Sequence, residues 1–247
     1  MAMRVSATLF GDPDAIAHID ALIANDPDDV RLRFARACAL EDLGRTLDAQ
    51  RAYLDVLARD PQHFGSLTNL GSLLHVRGQC DVAMAFYLKA VAAHPDDPMG
   101  HINLGNGLVE MGDIEAGKSE YETALRLRPG YPNAHFALSL LHRSLGDDDL
   151  ALRNRQLAFA KPSVRVAPYY GADPPLDVLF VVSADGGNVV THPYIDQHVI
   201  RAYNVIAEGY RPELELPPHH VFFNAIGDAD RAAEPLRIAA EIAKCSG

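Results

Sequence analysis

Apolar residues in the first two thirds of this chain follow a regular pattern, in which side chains of similar size return every 34 positions. Two columns contain only small residues, namely Ala37, Gly71, Gly105 and Ser139 in one and Ala15, Ala49, Ala83, Gly117 and Ala151 in the other. Short side chains let helices approach closely, so these columns predict the crossing points of paired helices. Larger residues would fill the space between successive pairs: Ile19, Tyr53, Tyr87, Tyr121, Leu40, Leu74 and Leu108.

Glycine and proline mark the ends of these helices at the same spacing. The first helix of each pair would end at a glycine, a position that often needs positive φ: Gly44, Gly78, Gly112 and Gly146. Prolines stand in the turns between pairs (Pro27, Pro61, Pro95 and Pro129) and at the first turn of two helices (Pro98 and Pro132). The pattern predicts an unpaired helix over about residues 13–25 and four helical hairpins after it.

These columns resemble the tetratricopeptide repeat family. The middle repeats carry Leu-Gly at 70–71 and 104–105, then Gly, Ala or Gly, Tyr, Ala and Pro at 78, 83, 87, 90 and 95 and at 112, 117, 121, 124 and 129. The resemblance implies a mainly α chain, whose residues 1–160 form a right-handed superhelix of about four repeats plus one helix. The terminal repeats replace apolar residues by Arg33, Arg36, His142 and Arg155, which we expect to meet water. For Arg155, the alternative is that it packs against or pairs with the following domain.

In this family, the first helices of the pairs line a concave groove that holds a peptide. By position, the groove would be lined by Arg31, Phe34, Glu41, Thr68, Asn69, Ser72, His75, Met99, Ile102, Asn103, Asn106, Glu110, Asn133, Phe136 and Arg143. Asn69 and Asn103 belong to a repeated Asn-Leu-Gly tripeptide. Such asparagines hold the peptide backbone in O-linked N-acetylglucosamine transferases, but the tripeptide is also a common form of this repeat. The lining lacks the basic cluster that binds a peptide carboxylate in chaperone-binding members.

A different pattern begins after residue 160. Residues 161–175 contain four prolines and no helical period, which predicts a linker. The β-branched run 176–182, LDVLFVV, is typical of a buried parallel strand, and further strands are predicted around 202–207 and 220–226. With a short helix after the first strand and a last helix over about 229–244, residues 176–247 would form a small α/β domain. Its short, mostly parallel sheet of three strands would have a free edge, through which the chain could self-associate.

The carboxyl ends of parallel strands are where open α/β sheets bind ligands. A possible ligand loop there comprises Gly186, Gly187, Asn188, Thr191, Asp228 and Asp230. Each feature also has a simpler interpretation, because a glycine turn after a strand is commonly only a turn and the two aspartates can cap the last helix. The adjacent histidines His219 and His220 would point to opposite faces of a strand, so no metal site is predicted.

The tail segments LDVLFVVSADGGNVVT, NVIAEGY and LPPHHVFFNAIGDAD resemble the leading domain of ATP-grasp ligases, particularly bacterial proteins that append such a ligase to tetratricopeptide repeats. The resemblance implies that ATP and Mg²⁺ are held by later domains, which this sequence does not contain. We therefore expect no catalytic residues, no metal and no cofactor in this chain alone.

Composition and charge limit the classes of partner that we expect. The net charge of -11 disfavours phosphate backbones, so we expect a protein or peptide partner and no nucleic acid. We also expect no membrane association and a cytoplasmic location, because no apolar run is long enough to span a membrane and no secretory signal is evident. Three widely spaced cysteines indicate neither disulfides nor zinc. The sequence thus favours a peptide-binding scaffold, with the substrate-recognition fragment of an ATP-grasp ligase, or of a glycosyltransferase, as alternatives.

Overall fold

The computed structural model describes residues 13–160, 164–167, 169, 171–184, 188, 196, 198–227 and 233–245. Within residues 13–160, nine α-helices follow one another: α1 (Pro13–Asn25), α2 (Val30–Asp42), α3 (Thr46–Arg59), α4 (Phe64–Val76), α5 (Cys80–Ala93), α6 (Pro98–Glu110), α7 (Ile114–Leu127), α8 (Pro132–Ser144) and α9 (Asp148–Ala158). The most extensive helix contacts join α2 with α3, α4 with α5, α6 with α7 and α8 with α9. The predicted unpaired helix and four hairpins are confirmed.

Helix ends form where the sequence places capping residues. The Asp97 carboxylate accepts a hydrogen bond from the Met99 backbone N–H at 2.8 Å, and His63 Nδ1 accepts one from Ser66 N–H at 3.2 Å. The four periodic glycines after the first helices have φ between +70° and +88°, as predicted. A side chain in this left-handed conformation would bring its Cβ too close to the backbone, so glycine ends the helix without strain.

The helices of a pair cross where small residues remove the side chain between them. A Cβ built on Gly71 would lie 2.5 Å from Cε1 of Tyr87, and one on Gly105 would lie 2.6 Å from Cε1 of Tyr121. Both tyrosine rings are less than 5% exposed. Glycine in the first helix therefore makes room for the tyrosine of the second, which explains why the two columns recur together.

Two polar residues of the terminal repeats differ from the expectation that they meet water. His142 is only 7% exposed, and its Nδ1 lies 3.9 Å from Oδ2 of Asp147. The Arg33 side chain is 17% exposed, and its guanidinium donates to Asp55 at 2.6 Å. Arg33 is retained in a packed position because a carboxylate of the same hairpin pairs with its charge.

From Phe159 onward the chain forms a second compact unit. Its described elements are β1 (Val164–Val166), β2 (Leu176–Val182), β3 (Ile200–Ile206), β4 (Val221–Asn224) and α10 (Ala233–Cys245). They build a four-stranded sheet in the order β1-β3-β2-β4, in which β2 is parallel to both neighbours and β1 is antiparallel to β3. On one face, Leu179 and Val205 pack in a cluster with Ile242 of α10.

The mostly parallel sheet is confirmed, but the expected three strands are four. The additional strand β1 lies inside the segment predicted as a linker and pairs with residues Tyr203–Val205 of β3. Three residues between prolines are too short a run for alternation to reveal a strand. The predicted short helix after β2 lies mostly outside the described residues. Self-association through a sheet edge stays a prediction, for which β4 offers Val221 and Phe223, 42% and 40% exposed.

Candidate peptide-binding groove

An open cavity of about 470 Å³ lies along the first helices of three hairpins, α4, α6 and α8. We call it the groove cavity. It is lined by Ser72, His75, Val76, Tyr87, Asn103, Asn106, Gly107, Val109, Glu110, Tyr121, Ala137, Leu140, Leu141 and Ser144. Five of these residues belong to the lining predicted from the sequence, and they lie on α4 and α6 at the centre of the predicted groove.

Tyrosine hydroxyls from the second helices reach the groove side of the first helices. Tyr121 Oη donates to Oδ1 of Asn106 at 2.7 Å. In the preceding repeat, Tyr87 Oη lies 3.4 Å from Oγ of Ser72, which stands one repeat before Asn106. The same column thus supplies a hydrogen-bonded polar floor to the groove cavity in two repeats.

In the first full repeat, Tyr53 makes the stronger version of this contact. Its hydroxyl donates to Oε2 of Glu41 at 2.5 Å and accepts a hydrogen bond from the Asn69 amide at 3.1 Å. Burial, followed by the hydrogen bond to Glu41, raises the pKa of Tyr53 above its ordinary value. Burial likewise raises the pKa of Tyr121 to about 12. These phenols therefore stay neutral donors near neutral pH.

One contact between a histidine and a carboxylate crosses the groove cavity between two repeats. His75 Nε2 of α4 lies 2.6 Å from Oε2 of Glu110 at the end of α6. The Glu110 side chain is 58% exposed and His75 is 19% exposed, so the pair borders solvent. It fixes the separation of two first helices at one end of the cavity.

Polar groups without a partner stand beside apolar side chains in the groove cavity. Among the described residues, no hydrogen bond is made by the Asn103 amide or by Nδ2 of Asn106, although both face the cavity. Val76 is 86% exposed and Leu140 is 37% exposed at the same cavity. The surface thus combines hydrogen-bonding amides with apolar contact area, as ligand pockets do.

The other predicted groove residues lie in several different surroundings. Thr68 and Ile102 are 5% and 4% exposed; the Thr68 hydroxyl donates to the carbonyl of Phe64 at 3.0 Å. Phe34 packs on the His63 ring with centroids 4.7 Å apart. Met99 and Phe136 are partly buried, and Arg31, Asn133 and Arg143 are exposed. Of the exposed three, Arg31 pairs with Asp29.

Several lining residues were not recognised from the sequence. Val76, Leu140 and Ser144 line the groove cavity but were not predicted. The predicted lining contained only residues at the same positions of other repeats, namely Glu110 in the column of Val76 and Ser144, and Ser72 and Asn106 in the column of Leu140. The repeat itself was the signal, because Val76 and Ser144 are one step from Glu110, and Leu140 is one step from Asn106. Applying each column to every repeat would have found them.

The possible ligand loop after β2 is described only in part. Asn188 bonds back to the strand end, with its Oδ1 accepting from Ser183 N–H and its Nδ2 donating to Ser183 O, both at 2.7 Å. The Ala184 N–H and the Ser183 hydroxyl both donate to the carboxylate of Glu208. Protein groups therefore already bind these donors. The other predicted loop residues, Gly186, Gly187, Thr191, Asp228 and Asp230, lie outside the described residues.

The two adjacent histidines make separate contacts. His220 Nδ1 accepts a hydrogen bond from Asp177 N–H at 3.0 Å, and His219 Nδ1 donates to the carbonyl of Pro217 at 2.8 Å. The described part of the chain holds no group of three or more His, Cys, Asp or Glu side chains that could bind a metal ion. No helix among the same residues has the length and hydropathy needed to cross a membrane.

Comparison with known families identifies the repeats. Residues 34–98 and 102–154 match the family model of the tetratricopeptide repeat. The chain therefore contains tetratricopeptide repeats, and the match ends before the second unit. No curated protein matches the sequence.

Several solved structures share the fold. The chain is 20% identical to TTC0263, a thermophilic tetratricopeptide repeat protein of Thermus thermophilus, with a TM-score of 0.53 over 59% of this chain and 80% of that one. MamA from Desulfovibrio magneticus RS-1 is 22% identical, with a TM-score of 0.51 over 60% and 83% of the two chains. A chain of the APC/C hetero-tetramer Cut9–Hcn1 is 17% identical, with a TM-score of 0.56, but only 29% of that chain is covered.

Proposed function

We propose that the tetratricopeptide repeats form a scaffold whose groove cavity binds an extended segment of a partner protein. The observation that carries the proposal is the presence of unpartnered amide groups beside exposed apolar side chains in one open cavity. Its volume of about 470 Å³ lies within the range of roughly 300–1,000 Å³ that ligand sites occupy.

The two asparagines are arranged to bind a peptide backbone. Asn103 and Asn106 are three residues apart on α6, so they are neighbours on one face of the helix. A side-chain amide both donates and accepts hydrogen bonds, which matches the N–H and C=O groups of an extended chain. Such contacts are independent of the bound sequence.

Sequence preference would come from the apolar part of the cavity. Val76 of α4 and Leu140 of α8 lie on either side of α6 and expose apolar surface to the same cavity. We expect the bound segment to place an aliphatic or aromatic side chain against them, because burial of that surface is favourable by about 25 cal/mol per Å². Among the described residues, the cavity lining carries one carboxylate, Glu110, and no Lys or Arg. A segment with an acidic side chain at this point is therefore disfavoured.

The test uses the full chain and peptides selected on it from a random-sequence display library. Affinity is measured by fluorescence anisotropy for the wild type, for Asn103→Ala and for Val76→Ala. Each variant should weaken binding about fivefold or more, the effect of losing about 1 kcal/mol. Val82→Ala is the matched control, because Val82 is 50% exposed on α5 and does not line the cavity. Equal affinity of all four proteins would contradict the proposal.

The ligase and glycosyltransferase alternatives stay predictions, as do the cytoplasmic location and the expectation that this chain holds no cofactor. The family match stops at residue 154, so the second unit gains no support from it for an ATP-grasp relationship. Isothermal titration of the chain with ATP and Mg²⁺ checks the cofactor expectation. ATP binding that requires Mg²⁺ and is tighter than the binding of inorganic pyrophosphate under the same conditions would contradict it.

A further inference from the structure

A second open cavity, of about 400 Å³, lies where α1, α2 and α3 meet. We call it the arginine cavity. It is lined by Asp20, Ile23, Arg33, Arg36, Arg45, Asp48, Arg51, Ala52 and Asp55. It shares no residue with the groove cavity, and four arginines in one place are unexpected in a chain with a net charge of -11.

Two of these arginines occupy columns that hold buried residues in the later repeats, leucine for Arg36 and leucine or histidine for Arg33. Arg36 is the 34-residue equivalent of Leu70 and Leu104, which are 0% and 4% exposed. Arg33 is the equivalent of Leu67, which is 1% exposed. Where later repeats have a packed core, the first full repeat therefore has guanidinium groups around an open space.

The aspartates at this cavity are each bound by arginine. The Asp48 carboxylate accepts two hydrogen bonds from Arg45, at 3.0 and 2.8 Å, and lies 3.8 Å from Arg51. Burial alone would raise the pKa of Asp55, but hydrogen bonds from Arg59 and Arg33 outweigh it and leave that pKa below its ordinary value. Asp55 is therefore ionised near neutral pH, and the described cavity lining holds four arginines against three aspartates.

Two arginines at the cavity keep donors that no described residue uses. Arg36 donates only through Nε, to Asp20 at 2.5 Å, so its two terminal nitrogens make no hydrogen bond among the described residues. Arg51 approaches Asp48 only at 3.8 Å, which is too long for a hydrogen bond. Both residues line the cavity, Arg36 from α2 and Arg51 from α3, and the Arg51 side chain is 81% exposed.

We propose that the arginine cavity binds a small molecule bearing a phosphate group, with Arg36 and Arg51 as its donors. A planar carboxylate matches the fork of a single guanidinium. A phosphate offers more acceptor oxygens, arranged tetrahedrally, and so uses donors that come from two helices. The excess of arginine over aspartate at the cavity supplies the charge complement.

The test is isothermal titration of the full chain with pyrophosphate at constant ionic strength. Saturable binding is expected, and Arg36→Leu should weaken it about tenfold or more, as loss of a charge-assisted hydrogen bond does. This variant restores the residue that later repeats carry, so the fold should persist. Arg51→Gln, which removes a charge from an exposed side chain, provides a second variant with the same expected loss.

Arg77→Leu is the matched control, because Arg77 is exposed, donates to Gln50 and does not line the cavity. It should bind pyrophosphate like the wild type. The proposal is overturned if pyrophosphate gives no saturable heat, or if both cavity variants bind it unchanged. Citrate serves as the carboxylate probe, and citrate binding as tight as that of pyrophosphate would refute the choice of phosphate.

Discussion

The tyrosines of the first three helix pairs make hydrogen bonds of different strength, so their replacement tests how these bonds stabilise the repeats. Replacing Tyr53, Tyr87 or Tyr121 by Phe removes one hydroxyl and keeps the ring, so no cavity opens in the core. The rings are 0%, 4% and 3% exposed, so the variants differ mainly in the partners that the hydroxyls lose. Comparing the stabilities of the three variants therefore isolates the contribution of the tyrosine hydrogen bonds.

The expected losses follow from the partners. Tyr53 donates to a carboxylate at 2.5 Å and accepts from Asn69, so Tyr53→Phe should cost about 1.5–3 kcal/mol. Tyr121 donates to a neutral amide oxygen at 2.7 Å, and Tyr121→Phe should cost about 1 kcal/mol. The Tyr87 contact with Ser72 is at 3.4 Å, near the limit for a hydrogen bond, so Tyr87→Phe should cost less than about 0.5 kcal/mol.

The assay is urea unfolding followed by far-ultraviolet circular dichroism, which reports on the helices. The three midpoints, compared at a common slope, should fall in the order Tyr53→Phe, Tyr121→Phe and Tyr87→Phe from most to least destabilised. Equal losses, or the largest loss at Tyr87, would refute the assignment of these partners.

Three further expectations concern the packing and the turns. Leu74→Ala should cost about 2–5 kcal/mol, because Leu74 is 3% exposed and the hairpin cannot close the cavity; a loss below about 1 kcal/mol in urea unfolding would contradict this. Gly112→Ala should cost about 1–2 kcal/mol, because the alanine would have to adopt the φ of +88° found at Gly112. Outside the adjacent residues, no atom lies within 4 Å of the position of the added Cβ, so an unchanged unfolding midpoint would argue against backbone strain. Because burial raises the pKa of folded Tyr121 from 10.0 to about 12, the stability contributed by the neutral phenol should be intact below pH 10 and be lost as pH rises towards 12. Unfolding midpoints measured across that window should fall less in Tyr121→Phe than in the wild type.

The repeat fold was predictable because each element is specified several times. The four turn glycines, the small column around Gly105 and the tyrosine column give the same helix boundaries in successive repeats, and local and long-range signals agree. The strand β2 was predictable from its continuous β-branched run alone. Strand β1 was not, because Val164–Val166 is short and only its pairing with β3 makes it a strand.

The groove was predicted only in part, because equivalent positions in a repeat do not have equivalent burial. Phe34, Thr68 and Ile102 share one column, yet Phe34 is partly buried against His63, while Thr68 and Ile102 are buried. The difference depends on which side chains pack against each position, and a single column does not contain that information. The exposure of Val76, a residue type expected inside, likewise emerges only from the packed helices.

The central claim is that a protein segment binds between the first helices of the repeats. The most direct measurement places a photo-cross-linking amino acid at Val76, in the groove cavity, or at Val82, on the second helix α5, and irradiates each protein with a selected peptide. Binding in the groove cavity predicts cross-linked peptide at position 76, competed by unlabelled peptide, and none at position 82. Equal cross-linking at both positions, or cross-linking only at 82, would contradict it.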